Sequence, residues 1–492
     1  MSGFRFARLG RHGAVYAVGA LLGKAVAFFM LPIYTRYMTP FDYGVLALLD
    51  MALEVIAIVA GARLAAGVFH LYHRATAEAE RRAVLASAFA VVGGAFVVAG
   101  GLTVAAAPLV SRAVFGTPEQ ADLVRIAATS LALQSLTIVP MAALQLSERS
   151  GAFVAANVAK LLIQVVLNIV LLIGFRLGAK GVLLSTLAAN ALTGLWLCGD
   201  LVRQAGIRPS RAAVRDIVRL GLPFIGTQLA KFVQTYGDRW FLRVAAGTTT
   251  VGVYGLGYQF GFLLATIGYS PFNNVWEPMR FEIAKRPDRD VLYTRAFLYL
   301  NLLLVTMAVG LALFVAEFLR VMATPPYYGA AAVVPLVLVA YLAQSWTGFF
   351  NVGLFIAERT ELITTATWAG ALVSLGGNAL LIPRLGPMGA ALVAAVSFLT
   401  MAFMTYRASQ RLWPVAYRWA PVVRLLAVAV AVVLFAQFVP RWPLPVALAA
   451  KAGLLAAYAG GVWAGGILTD ADRRFVRQAL HSPRAALAEL RS

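Results

Sequence analysis

Six polar residues share one face of a segment that is otherwise apolar. They are Thr227, Gln228, Lys231, Gln234, Thr235 and Asp238. Their spacing places all of them on one side of an α-helix. Because a charged face is costly against acyl chains, this face is predicted to contact protein or a water-filled cavity. Its amides, hydroxyls and ammonium group predict a site for a polar cargo.

Two lysines occupy corresponding places in the two halves of the chain. Lys24 and Lys231 each lie about midway between the arginines that bound a predicted membrane span. Two lysines near mid-membrane, one in each half, predict a cationic central site. The alternative is that each lysine snorkels to the interface or pairs with an acid such as Asp50.

A second polar face is predicted on another apolar segment. Its members are Asn157, Lys160, Gln164 and Asn168, at helical spacing. We predict that Lys160, Gln164 and Asn168 face the same cavity as Gln228, Gln234 and Asp238. The alternative is that these polar groups hydrogen-bond neighbouring helices to one another.

Two carboxylates, Asp50 and Glu54, lie four residues apart on one helical face. A carboxylate in a low-dielectric cavity binds a proton more readily than one in water. The pair is therefore the candidate for ion coupling. The alternative is a static ion pair with Lys24.

The elements that position these residues are membrane spans. The chain has 492 residues, of which 61% are hydrophobic and 13% charged, whereas soluble proteins carry about 25% charged residues. Because a span needs ~20 apolar residues, the sequence predicts fourteen. The predicted spans are 13–35, 43–70, 83–107, 122–146, 152–175, 180–200, 218–243, 250–275, 293–318, 330–357, 361–382, 387–407, 420–438 and 445–468.

The formal net charge of +21 follows membrane topology. The loops on one side of the predicted spans carry most of the arginines and lysines, so both termini are predicted to be cytoplasmic. No basic folded domain is evident, which argues against a nucleic-acid partner. Cys198 is the only cysteine, so an intramolecular disulfide is excluded. No motif predicts a metal, a cofactor or a catalytic centre.

An internal repeat relates the two halves. Residues 176–184 and 384–392 are identical at five of nine positions, at an offset of 208 residues. The same offset relates Gly44 to Gly252. Because the offset covers an even number of spans, the copies have the same orientation. Parallel repeats predict two like lobes with a cavity between them.

These patterns predict an all-α integral membrane protein with two six-helix lobes and two further C-terminal helices. The predicted divisions are an N-lobe (1–200), a basic cytoplasmic linker helix (201–217), a C-lobe (218–408), spans 13 and 14 (419–468) and a cytoplasmic tail (469–492).

Three segments resemble a known family. They are residues 31–44 (LPIYTRYMTPFDYG), residues 236–255 (YGDRWFL followed by VGVYG) and residues 378–389 (NALLIPRLGPMG). All three resemble the bacterial polysaccharide flippases, which export O-antigen and exopolysaccharide repeat units and belong to the multidrug/oligosaccharidyl-lipid/polysaccharide (MOP) superfamily.

The resemblance implies export of undecaprenyl-pyrophosphate-linked oligosaccharide across the bacterial inner membrane by alternating access. It implies cations in the central cavity, which Lys24 and Lys231 match. It further implies contact with membrane lipids, and names polysaccharide polymerase and glycosyltransferases as candidate partners.

Three other functions stay open at this stage. A lipid II flippase is a close relative. A drug/cation antiporter of the same superfamily needs an acidic cavity, which Asp50 and Glu54 favour and the two lysines oppose. A membrane glycosyltransferase or polymerase generally needs a large external loop or an acidic metal site, and the sequence has neither.

Overall fold

The computed structural model describes residues 30–61, 64–206, 208–438, 442–469 and 473. Lys24, and with it most of the first predicted span, lies outside the described residues. Residues 30–37 are helical and lead into the first of the helices named below. Within the described residues the chain forms helices and turns and no β-strand.

The helices fall into two series along the chain. The first series is α1 (Pro40–Val59), α2 (Leu64–Arg74), α3 (Glu78–Ala105), α4 (Ala107–Phe115), α5 (Ala121–Leu146), α6 (Ser150–Ile169) and α7 (Gly178–Ala205). The second series is α8 (Arg211–Leu263), α9 (Ser270–Ile283), α10 (Arg289–Met322), α11 (Val334–Phe350), α12 (Val352–Ile356), α13 (Glu361–Leu412), α14 (Trp419–Ala436) and α15 (Leu444–Ala464).

Among the described residues, ten helical runs are long and apolar enough to cross a membrane. Two of these runs are broken by a glycine with non-helical backbone angles, at Gly247 in α8 and at Gly386 in α13. Both breaks fall in predicted loops between spans. The all-α multi-pass architecture is therefore confirmed, while the number fourteen stays a prediction.

The first of the three family-like segments contains a helix start. Thr39 accepts the N–H of Asp42 at 3.2 Å, and the Asp42 carboxylate accepts the N–H of Thr39 at 2.9 Å. Pro40 occupies the first turn, where its missing N–H costs nothing. This reciprocal capping box satisfies two backbone donors and fixes where α1 begins.

The repeat is visible in the backbone. Gly178 and Gly386 are separated by the repeat offset, and their φ angles are +53° and +56°. A residue with a side chain rarely adopts this left-handed conformation. Each glycine therefore allows the same sharp turn between two consecutive helices.

The described helices form two compact units. Unit 1 comprises the described parts of Met1–Leu256, Met322–Tyr327 and Thr367–Ala394. Unit 2 comprises those of Gly257–Val321, Tyr328–Ala366 and Ala395–Ser492. The lobe boundaries predicted from the repeat stay a prediction.

The basic segment 201–217 contains a helix end and a helix start. Helix α7 extends through Ala205, and Gly206, with a φ of +70°, follows its last turn. Helix α8 begins at Arg211 and continues into the predicted seventh span. The role of this segment as a cytoplasmic linker stays a prediction.

At one end of unit 1, α1 and α8 cross at two glycines. A Cβ on Gly44 would collide with the backbone carbonyl of Thr248, and a Cβ on Gly252 would collide with that of Pro40. Gly44 and Gly252 are the pair related by the repeat offset. Only glycine permits so close an approach of two backbones.

Residues 322–327, which belong to unit 1, pack near this helix crossing. The Tyr327 hydroxyl donates to the Met38 carbonyl at 3.0 Å, and its ring meets Tyr43 edge-on at 5.5 Å. Thr324 donates to the Thr35 carbonyl at 2.9 Å. Burial raises the pKa of Tyr327, so its hydroxyl stays a donor. These contacts join loops that the topology prediction assigns to the same side.

Unit 2 contains a cluster of buried and half-buried aromatic rings. Neighbouring ring centroids lie 4.8 to 6.4 Å apart, in stacked, tilted and edge-on pairs. Its members are Trp276, Tyr293, Phe297, Trp346, Phe349, Phe350, Tyr406, Trp413, Tyr417 and Trp419. Rings in these arrangements attract one another beyond their burial, so the cluster fixes α9, α10, α11, α13 and the start of α14 together.

Within unit 2, polar contacts connect helix α15 to helix α10. The Lys451 ammonium lies 2.6 Å from the Glu317 carboxylate, with only 12% and 6% of the two side chains exposed. The hydroxyls of Thr306 and Tyr458 lie 3.1 Å apart. Both contacts join α15 to α10.

We expect Lys451→Met to lower the free energy of unfolding by about 3 to 5 kcal/mol, because it leaves the Glu317 carboxylate buried without its partner. The double variant Glu317→Leu/Lys451→Met should recover most of that loss, because no uncompensated charge remains. Thermal unfolding of the purified protein in detergent measures both. Equal stability of wild type and the single variant would show that the pair contributes nothing.

Candidate functional site

The polar face of α8 lies in unit 1 and is graded in exposure along its length. Lys231 is exposed, Gln228 is half-buried, and Gln234 and Asp238 are buried. The Asp238 carboxylate accepts the Tyr254 hydroxyl at 2.5 Å. The face therefore runs from an exposed ammonium group to a buried, hydrogen-bonded carboxylate about 10 Å further along the helix axis.

Arg239 completes this site and was missed by the sequence predictions. It is 8% exposed, and its guanidinium lies 3.7 Å from Asp238 Oδ1. It donates to the Thr235 carbonyl at 2.8 Å and lies over the Tyr236 ring at 4.6 Å. Its position inside the predicted seventh span was the available signal, because an intramembrane arginine is a functional candidate by default.

An ion pair of Asp50 or Glu54 with Lys24 stays a prediction, because Lys24 lies outside the described residues. Asp50 is exposed and Glu54 is half-buried. The positive charge of Arg239 attracts the Asp50 carboxylate, whereas the negative charge of Glu54 repels it. The two acids of α1 therefore interact electrostatically with Arg239, which is also the neighbour of Asp238.

The second polar face, on α6, contacts neighbouring helices at two of its residues. Gln164 donates to the Thr186 hydroxyl at 3.1 Å, and Asn168 donates to the Tyr34 hydroxyl at 2.8 Å. Asn168 is buried, whereas Lys160 and Gln164 are half-buried. The contacts of Gln164 and Asn168 are of the kind that join helices in membranes. A cavity role for these three residues stays a prediction.

Tyr254 and Tyr258 of α8 lie in the protein interior, where they are 1% and 3% exposed. A buried ring cannot offer its face to a ligand, so neither tyrosine can stack on a sugar.

The arrangement of acidic and basic side chains is suited to binding a polar or charged ligand. The residues of this site in unit 1 are the acids Asp50, Glu54 and Asp238 and the cations Lys231 and Arg239. In the part of the chain that the structure describes, no three His, Cys, Asp or Glu side chains are grouped so as to hold a metal ion.

Comparison with known families identifies the chain. Residues 9–284, more than half of the sequence, match the model of the family described as "Polysaccharide biosynthesis protein". The chain belongs to this family. The resemblance inferred from residues 31–44 and 236–255 is thereby confirmed, and no curated protein matches the sequence.

Solved structures show the fold of this polysaccharide biosynthesis family member. The lipid II flippase MurJ in its inward closed conformation is similar with a TM-score of 0.72 at 11% identity, over 91% of this chain and 98% of that one. An inward-facing multidrug resistance MATE transporter of the MOP superfamily is similar with a TM-score of 0.62 at 15% identity, over 80% and 97%.

A MOP superfamily transporter from Pyrococcus furiosus is also similar, with a TM-score of 0.55 at 15% identity, over 81% of this chain and 94% of that one. Identities this low establish the fold alone. The family member therefore shares its fold with these three membrane proteins.

Proposed function

We propose that this protein carries undecaprenyl-pyrophosphate-linked oligosaccharide from the cytoplasmic to the outer leaflet of the bacterial inner membrane. The observation that carries the proposal is the polar face of α8, where the exposed Lys231 lies one to two turns from Gln234 and Asp238. An exposed ammonium in a membrane span suits the pyrophosphate, and the neighbouring amides and hydroxyls suit the sugars.

The cargo needs such a passage. A sugar hydroxyl without a partner in hydrocarbon costs about 4 to 8 kcal/mol, and an isolated ion costs about 20 kcal/mol by an idealised estimate. The isoprenoid tail has no such cost and can stay in lipid. A polar face on a protein helix therefore matches the head of the cargo and not its tail.

We propose alternating access as the mechanism, with the glycine crossing of α1 and α8 as the part that closes one end of unit 1. Close-packed contacts of this kind have few intermediate arrangements, which suits a two-state movement. The orientation with both termini in the cytoplasm is part of the same proposal, and rests on the distribution of arginine and lysine.

The proposal is tested in proteoliposomes with three fluorescent cargoes: an undecaprenyl-pyrophosphate oligosaccharide, lipid II and a cationic dye. We expect rapid loss of leaflet asymmetry for the oligosaccharide and background rates for the dye. Dye transport without glycolipid transport would identify a drug/cation antiporter. Transport of lipid II alone would favour the second candidate function, a lipid II flippase. The structural similarity to MurJ supports this candidate.

Asp50 and Glu54 are proposed as the ion-coupling groups. We expect Asp50→Asn/Glu54→Gln to remove the dependence of transport on an imposed proton gradient, because neither amide exchanges a proton at neutral pH. Transport by the double variant should be the same with the gradient intact or collapsed. A gradient response as large as that of the wild type would contradict the assignment.

A further inference from the structure

Helix α9 of unit 2 presents a row of polar groups that the site on α8 does not include. The Tyr269 hydroxyl donates to Asn273 Oδ1 at 3.1 Å, and the Asn273 amide donates to the Glu277 carboxylate at 3.5 Å. Arg280 donates to the other oxygen of that carboxylate at 3.4 Å. We call Tyr269, Asn273, Glu277 and Arg280 the α9 ladder.

A local irregularity positions the ladder. A π-helical segment, Leu264–Tyr269, precedes α9 and ends at the first ladder residue. A π segment inserts an additional residue and so rotates everything that follows it, and such segments are common at functional sites. Gly348 of α11 leaves room for the Tyr269 hydroxyl, because a Cβ there would collide with it.

Helix α9 has three different sides. Trp276, Arg280 and Ile283 are buried in unit 2. Val275 and Met279 are apolar and exposed, at 62% and 44%. The third side carries Asn273 and Glu277 and, one turn further, the Phe281 ring, which is 39% exposed. An apolar exposed side suits lipid, whereas a side that carries a carboxylate suits water or a polar ligand.

The inner part of the ladder is fixed and the outer part is accessible. Only 6% of the Arg280 side chain is exposed, against 58% of Glu277. The guanidinium lies between the Phe281 and Phe355 rings, 4.9 and 5.0 Å from their centroids. Arg280 therefore holds a carboxylate that keeps lone pairs on both oxygens for a further ligand.

We propose that the α9 ladder is a carbohydrate subsite, in which Glu277 and Asn273 bind adjacent hydroxyls of a pyranose and the exposed Phe281 ring packs against its C–H face. This inference rests on the proposed function and adds a sugar-binding site that lies within unit 2. Neighbouring hydroxyls donate to a carboxylate in charge-assisted hydrogen bonds, the stronger class. Asn273 and Glu277, which are four residues apart, are separated by about 6 Å along the helix axis, which is close to the length of one sugar ring.

The test measures binding to the protein in nanodiscs. The probes are undecaprenyl pyrophosphate without sugar and the same lipid bearing a disaccharide of hexose, N-acetylhexosamine, deoxyhexose or hexuronic acid. For the wild type we expect at least one disaccharide to bind tenfold or more tightly than the bare lipid. Glu277→Gln should lose that gain and bind the bare lipid within twofold of the wild type.

Two further variants separate recognition from folding. Gly348→Ala should weaken sugar binding, because it displaces the Tyr269 hydroxyl while every polar group of the ladder remains. Met279→Leu, on the apolar side of the same helix, should behave as wild type. The subsite is wrong if Glu277→Gln keeps the full gain, or if no disaccharide exceeds the bare lipid. If the wild type binds none of the probes, the proposed function itself fails.

Discussion

Gly252→Ala and Gly44→Ala are each expected to lower the free energy of unfolding by about 1 to 3 kcal/mol, the usual cost of overpacking, and to abolish most transport. In each variant the added methyl meets a backbone carbonyl, of Pro40 or Thr248, and not the end of a flexible side chain. The helices must separate for either methyl to fit. Thermal unfolding and the glycolipid transport assay measure the two effects.

The double variant is a sharper form of this test. Because both glycines lie at one helix crossing, their two losses of unfolding free energy should not add. The double variant should be about as stable as the less stable of the two single variants. Gly226→Ala is the matched control, since a Cβ there meets no atom of the described residues within 4 Å. That control should match or slightly exceed the wild type in stability. A tolerated Gly252→Ala would mean that α1 and α8 do not approach so closely.

Arg239→Met is the second substitution expected to have a large effect. It removes the buried cation beside Asp238 and the charge that acts on Asp50. Breaking a buried pair by removal of one partner costs about 3 to 5 kcal/mol. We therefore expect a poorly folded protein with little transport, measured by size-exclusion behaviour, thermal unfolding and glycolipid flipping.

A second neutralisation distinguishes folding from function. Asp238→Asn/Arg239→Met should recover much of the stability, because Tyr254 can still donate to the amide oxygen. It should not recover transport, because the charge relation with Asp50 is still absent. Full transport by the double variant would show that Arg239 serves only to neutralise Asp238. Arg243→Met is the control. Arg243 lies one turn further along α8 and donates to the Ala113 carbonyl near the end of α4.

The sequence was sufficient to predict the all-helical architecture, because membrane spans depend on long apolar runs joined by short loops. It also identified the repeat, and Gly178 and Gly386 share a left-handed conformation for that reason. Helix ends were harder to predict. Hydropathy marks where lipid begins and not where a helix ends, so it did not indicate that α7 continues to Ala205 or that α8 begins at Arg211.

The site was only partly predictable, because a stripe of polar residues identifies a face and not its partners. Asp238 and Gln234 are buried on the predicted face, but the buried Arg239 next to them was overlooked. The pairing of Glu317 with Lys451 joins residues 134 positions apart. No periodicity within one helix specifies such a contact, since it depends on how helices pack.

The central claim is that the exposed ammonium of Lys231 takes the pyrophosphate of the cargo. The most direct measurement is the rate of oligosaccharide-lipid flipping in proteoliposomes by wild type, Lys231→Gln and Lys231→Arg at equal protein content. We expect Lys231→Gln to lose at least tenfold in flipping rate while folding normally, and Lys231→Arg to retain most of the activity. A Lys231→Gln protein that flips the cargo at the wild-type rate would contradict it.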